Sequence, residues 1–362
     1  MGSRRGRGDA MPIFAGLRVA GLLTIAVPAG LHAQDHVVGP FRLGLRTAAI
    51  GVLEGDPRQE FGEISSVAIL PDGRVVVLDR RIPSLRLFGP DGGPLFVAGR
   101  VGSGPGEFRS PSQVRLLPSG ELAVLDVGLA RLSFFRLVRD SLQFTRSFQV
   151  APTAREFCVL GDSVYVAGAR VGDSKTVLRY TLRGTEAGGF GELFPDAKDP
   201  VLAAALSAGL RIECLEGAGG VLLASEWLPA IRAYDARSGR LLWESRVSEF
   251  EEVITEHKAT ARGPAIVFRP PPRQSVHKVA SILALADSVA LVQLERTARP
   301  AGGSSVNTSY DFRLILTESG VESAAYRNMV HVHARSGSTI VLGDTTDFPR
   351  LLVYRVVTDA SR

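Results

Sequence analysis

The chain of 362 residues lacks a long apolar run, a block of like charge and any clustering of cysteine. Its apolar stretch Val19–Leu31 has 13 residues and contains Pro28, whereas a spanning helix needs about 20, so no transmembrane helix is expected. Lysine is confined to Lys175, Lys198, Lys258 and Lys278, and the arginines that supply the other basic charge are scattered through strands and turns. That scatter reads as solvated surface, not as the basic stripe of a nucleic-acid binder. No Gly-x-Ser-x-Gly elbow occurs, which argues against a hydrolase triad. Gly102, Gly104 and Gly106 stand before Glu107 without the lysine or the following helix of a phosphate loop.

What is present begins with Arg4, Arg5, Arg7 and Arg18, then the apolar run, then Leu31-His32-Ala33. That order reads as a signal peptide over residues 1–33, leaving a mature chain of residues 34–362 in the periplasm or outside the cell. The formal net charge of +5 falls to +2 without those four arginines and Asp9, too little to point to nucleic acid.

An ungapped repeat at a spacing of 47 residues relates Phe61–Phe88 to Phe108–Phe135. Its 11 identities in 28 positions include Leu70-Pro71 with Leu117-Pro118, Gly73 with Gly120, and Val77-Leu78-Asp79 with Val124-Leu125-Asp126. The identities fall at turns and apolar positions of short strands, and a period of this length built from strands means a propeller blade. Weaker copies follow, giving blades at about 61–98, 108–150, 155–189, 210–247, 275–327 and 328–357. The expected fold is all-β: a six-bladed β-propeller of four-stranded antiparallel blades. Phe41–Val52 belongs to no blade and is expected to close the ring as the outer strand of the last one.

Two insertions flank the fourth blade, at Phe190–Gly209 and Ser248–Arg273. Asp199–Gly209 is rich in alanine and leucine, and Ser248–Glu252 has the form of a capping box, so both predict short helices on one face, a partial lid. Arg80, Arg81, Arg100, Glu107 and Arg109 fall in loops of that face and are candidate ligand-binding residues. Cys158 and Cys214 take equivalent places on neighbouring inner strands, where either a disulfide or two buried thiols fit.

Gly102–Phe108, Pro111, Val124-Leu125-Asp126, Arg131 and Phe135 closely resemble the NHL repeat. The resemblance, also good in the first blade, implies a bacterial propeller of the NHL and TolB-like superfamily. That group includes binding modules, lactonases and amidating lyases. A lactonase-like site would hold a divalent metal ion in the channel with a glutamate, for which Glu63 could stand, and carboxamide or carboxylate partners; the chain has only two asparagines, Asn307 and Asn328. An amidating-lyase-like site would use histidines, here His277, His331 and His333. Alternation of the last two with Val330 and Val332 already accounts for them by packing. The leading expectation is therefore a monomeric, non-catalytic scaffold without a cofactor, binding a peptide, protein or glycan on its lidded face. A metal-dependent hydrolase or lyase is the alternative.

Overall fold

The computed structural model describes residues 36–168, 175–194, 202, 206, 208–260, 263–269, 275–298 and 307–357. The proposed signal peptide lies outside them. In chain order the first strands are β1 (His36–Val38) and β2 (Phe41–Ile50), followed by blade one: β3 (Ile64–Ile69), β4 (Val75–Asp79), β5 (Ser84–Phe88) and β6 (Pro94–Ala98). Blade two is β7 (Pro111–Leu116), β8 (Glu121–Asp126), β9 (Arg131–Val138) and β10 (Ser141–Gln149). Blade three is β11 (Glu156–Leu160), β12 (Ser163–Ala167), β13 (Val177–Thr181) and β14 (Glu186–Phe190); blade four is β15 (Leu210–Leu215), β16 (Gly220–Ser225), β17 (Ala230–Asp235) and β18 (Leu241–Arg246).

A hairpin, β19 (Ile254–Thr260) and β20 (Gly263–Arg269), precedes blade five, which is β21 (Ser275–Ala286), β22 (Val289–Ala298), β23 (Asn307–Leu316) and β24 (Glu322–Met329). Blade six is β25 (Val332–Ser336), β26 (Thr339–Asp344) and β27 (Arg350–Val356), extended outward by β2 and then β1. The protein is thus a six-bladed β-propeller of antiparallel blades. Its first strands complete its last blade through pairs such as Ala49 with Leu352 and Ile50 with Leu351.

The strand sequences reflect depth in the ring. β4 reads Val-Val-Val-Leu-Asp with every residue buried, because both of its faces press on neighbouring blades, while the outermost β6 alternates. The turns repeat as the sequence does. Gly73 and Gly120 adopt φ of +86° and +80° and donate to the carbonyls of Leu70 and Leu117, a left-handed conformation that glycine adopts without a Cβ penalty. Phe61 packs on Phe88 and Phe108 on Phe135 at 6.0 and 5.8 Å between ring centres.

Innermost strands are edges, with backbone groups that no fifth strand covers. Among the described residues, side chains stitch them across five of the six blade interfaces. Ser66 Oγ accepts from Val114 N–H at 3.1 Å, Gln113 Oε1 from Phe157 N–H at 2.8 Å, and Glu156 Oε2 from Ile212 N–H at 3.1 Å. Glu213 Oε1 accepts from Ala284 N–H at 3.4 Å, and Gln293 both accepts from Val332 N–H and donates to its carbonyl at 2.8 Å. At the closing interface, between β25 and β3, apolar packing of Val67, Ile69 and Val77 against Ala334 and Val341 takes over. Cys158 of β11 and Cys214 of β15 form a disulfide with their Cα atoms 5.5 Å apart.

The insertion after blade four departs from the helix that its capping pattern predicts: it is the β19–β20 hairpin. Ser248 turns its N–H and hydroxyl to Glu322 of blade five, at 2.9 and 2.7 Å. Glu251 exchanges backbone contacts with His277, its N–H donating to Nδ1 at 2.9 Å and its carbonyl accepting from the His277 N–H at 3.1 Å. With both partners of the box committed to blade five, the β-branched residues Ile254, Thr255, Ile266 and Val267 pair as strands. In the earlier insertion Leu202 and Leu206 are helical, and the Leu206 carbonyl accepts from the Ser225 hydroxyl at 3.0 Å; Pro270-Pro271-Pro272 lies outside the described residues.

Candidate functional site

The inner strands all begin on one face, here the upper face, where the connections between blades also emerge. A cavity of about 760 Å³ opens there, built from blades one, five and six. Its walls include Tyr310, Tyr354, Met329 and Leu342, and Glu63, Glu295 and Asp344 line it as well. Below it the central channel holds a second cavity, of about 440 Å³, and His331 and His333 line both. The volume and mixed lining of the upper cavity are those of a small-ligand pocket.

Each carboxylate of this mouth has a cation. Glu63 pairs with Arg80, Glu295 with Lys278 at 3.1 Å, and Asp344 with Arg350, whose guanidinium also lies over the Phe348 ring. Arg80 and Lys278 are not among the lining residues, so in those two pairs the carboxylate is the member that meets the cavity. Tyr310 stacks on His331 at 4.8 Å, and His331 meets His333 edge-on at 4.3 Å. Burial, reinforced by Glu295, pushes the Tyr310 hydroxyl up to about 12. Burial also brings His333 down to about 4 and holds His331 well below the usual histidine range, with His333 adding to the effect. Both imidazoles are therefore neutral at pH 7, and His331 Nε2 is buried without a hydrogen-bond partner.

Channel charges are engaged in structure. Arg115 pairs with Glu213 at 2.6 Å, and Arg211 reaches Glu226 at 3.4 Å and Glu156 at 3.6 Å while donating to the Ala280 carbonyl at 2.9 Å. Burial pushes the Glu156 carboxyl up despite Arg211.

The structure divides the residues that the sequence singles out. Arg80 sits at the mouth against Glu63. Arg81 and Arg100 flank a separate surface groove with Ile82, Val97 and Val101. Glu107 accepts from Gly104 N–H at 2.8 Å and from Arg100 Nε at 2.7 Å, and those bonds, the backbone one foremost, hold its carboxyl below the usual range. Arg109 is exposed, and its backbone N–H is held by Asp126 at 2.6 Å. These five residues do not converge on one site.

His277 does not join the other two histidines. It is buried beside Phe250, with Nδ1 taken by Glu251 N–H and Nε2 3.7 Å from Asp311. Asn328, expected to begin an inner strand, instead lies in β24, the outer strand of blade five, because blade six starts only at Val332; its side-chain oxygen accepts from Arg296. Among the described residues no three of histidine, cysteine, aspartate and glutamate form a group that could hold a metal ion.

No protein-family profile and no curated protein matches the sequence. Solved structures share its fold. A member of the DUF4221 family from Bacteroides vulgatus superposes with a TM-score of 0.57 at 8% identity, over 88% of this chain and 98% of that one. A Bacteroides fragilis chain described as an exported protein superposes at 0.51 and 9% identity, over 86% of this chain and 94% of that one. At such identity the likeness speaks for architecture alone.

Proposed function

We propose that this chain is an exported, NHL-type propeller that acts as a non-catalytic binding scaffold and receives a peptide, protein or glycan at the mouth of its channel on the upper face. The observation that carries this reading is the cavity of about 760 Å³ walled by Tyr310 and Tyr354. Aromatic walls with a few fixed polar groups suit recognition. The paired state of Glu63, Glu295 and Asp344 supports a role in holding a ligand over one in proton transfer. Export is supported by the basic and apolar N-terminal pattern and by the Cys158–Cys214 disulfide, which belongs to an oxidising compartment.

The test is a peptide and glycan binding screen on protein recovered from the exported fraction, run in parallel with a lactone and ester panel. Binding that is lost in Tyr310→Leu, with no turnover of the panel, is the expected result. Turnover lost with the same substitution would replace this reading with an enzymatic one. Mass analysis of the exported protein should show a chain beginning at Gln34.

A further inference from the structure

The lining of the mouth is uneven in its chemistry. Three carboxylates, Glu63, Glu295 and Asp344, meet the cavity, against a single lining cation, Arg350, which Asp344 already binds through two nitrogens. Hydrogen bonding by an oriented carboxylate to a charged N–H is about twice as strong as between neutral groups. Tyr310 and Tyr354 add aromatic faces, whose negative quadrupole attracts cations. Beneath them His331 Nε2 is buried with no partner, so the site holds an unfilled hydrogen-bonding position in addition to its acidic rim. Leu342, Leu352 and Met329 supply apolar wall between the rim and the floor.

Resting on the proposed binding role, we infer that the mouth takes a ligand group consisting of a protonated amine or guanidine on an apolar stem. The stem lies along Leu342 and Met329, the cationic nitrogen meets Glu295 and Glu63 beside the tyrosine rings, and the floor imidazoles stay uncharged. An anionic group of the same length would meet the carboxylates of Glu63 and Glu295, whose cations Arg80 and Lys278 stand outside the lining. A neutral one would bring them no second charged donor on the cavity side.

Calorimetric titration of the intact exported protein with four probes tests this: N-acetyl-lysine amide, N-acetyl-norleucine amide, N-acetyl-glutamate amide and agmatine. The lysine probe should bind, the norleucine and glutamate probes should not, and added salt should weaken the binding. Glu295→Gln should reduce its affinity about tenfold, the loss of about one charged contact. Glu63→Gln, at the more exposed rim, provides the same readout if Glu295→Gln does not fold. Binding of agmatine as well as the capped residue supports the chemistry with a free amine as a source; binding of the capped residue alone supports it with a peptide as the source. Lysine binding that neither glutamine substitution alters overturns the inference. So does binding of the norleucine or glutamate probe that is lost in Tyr310→Leu, and that result would leave the mouth standing as a binding site. If no probe binds and peptides or glycans captured by the protein are indifferent to Tyr310→Leu, both the inference and the binding role of the mouth fail.

Discussion

Arg86 and Arg131 hold equivalent loops from positions two residues apart in the internal repeat. Arg86 aligns with Ser133 and Arg131 with Ser84, yet Arg86 donates to the carbonyls of Pro57, Arg58 and Glu60, and Arg131 to those of Ser103, Gly104 and Glu107. Residues i and i+2 of a strand share a face, so either position reaches the loop that leads into its blade. The glycine-rich turn before blade two is thereby pinned to that blade by a buried guanidinium.

Replacing Arg131 with methionine roughly keeps the volume and leaves the Ser103 and Glu107 carbonyls without their donor, while the Gly104 carbonyl keeps the Glu107 N–H. Stability should fall by about 3 kcal/mol, read from urea unfolding, with faster amide exchange confined at first to residues 102–107. Arg131→Lys should recover only part, because an ammonium cannot fork between the Ser103 and Glu107 carbonyls. Unchanged unfolding in the methionine variant would show that the turn holds itself.

Asp126 closes the same blade from the other side. Its carboxylate accepts from the N–H groups of Arg109, Ser110 and Leu129, at 2.6, 3.0 and 3.0 Å, and Asp79 does the equivalent with Gly62, Glu63, Arg81 and Ile82 in blade one. Asp126→Ala should cost about 2 kcal/mol, again by urea unfolding, and leave ligand affinity unaltered. Loss of affinity at undiminished stability would assign the residue to the site.

Acid should destabilise this protein before its ordinary carboxylates titrate. Unfolded histidines titrate near 6.5, whereas His333 in the fold is brought to about 4 and His331 well below its usual range. Between those values the unfolded chain binds more protons than the folded one, so the stabilisation is complete above about 6.5 and is lost as the pH falls toward 4. His277, lowered by burial, acts in the same sense, while Glu156, raised by burial, opposes it. The melting temperature should therefore drop between pH 7 and pH 5, and His333→Gln should flatten that slope. A slope identical in the variant would place the proton uptake elsewhere.

The disulfide joins blades three and four at the interface that Glu156 also stitches to Ile212. The sequence separation is 56 residues, for which the loop-entropy relation gives about 4 kcal/mol. The paired variant Cys158→Ala, Cys214→Ala should lose stability of that order, and reductant should lower the melting temperature of the wild type but not of the variant. Insensitivity of the wild type to reductant would show that the bridge is not formed in the isolated protein.

Legibility followed locality. The turns Pro71-Asp72-Gly73 and Pro118-Ser119-Gly120 and the strand-ending Asp79 and Asp126 recur in register, so the repeat and the propeller were open to reading. The hairpin at 254–269 was not, because Ser248 and Glu251 find their partners in Glu322 and His277, which a local capping pattern does not contain. The channel stitches are hidden in the sequence for a different reason. Ser66, Gln113, Glu156, Glu213 and Gln293 do one job with three residue types, and only the spacing between blades reveals it. The mouth was partly visible through His331, His333 and Glu63, but its aromatic wall comes from Tyr310 of blade five, brought onto His331 by contact between blades.

Closure of the ring makes the last test a severe one. β2 supplies the strand that covers β27, and Phe41, Leu43 and Ile50 of β2 are buried, Ile50 completely. A chain that starts after Val52 would lose those side chains from the packing and bare the β27 edge along Leu351–Val356, an apolar strand with unpaired backbone groups. At about 25 cal/mol per Å² of apolar surface, the loss of three such side chains amounts to several kcal/mol, comparable to the whole stability of many domains. The truncated chain should therefore aggregate or elute as higher oligomers in size-exclusion chromatography. Supplying a synthetic peptide of residues 36–52 during refolding should restore the elution volume of the full chain, since the vacated edge is a template for that strand. A truncated chain that elutes as the full chain does, with an unchanged melting temperature, would show that β2 is an ornament of blade six and that the other strands close the ring without it.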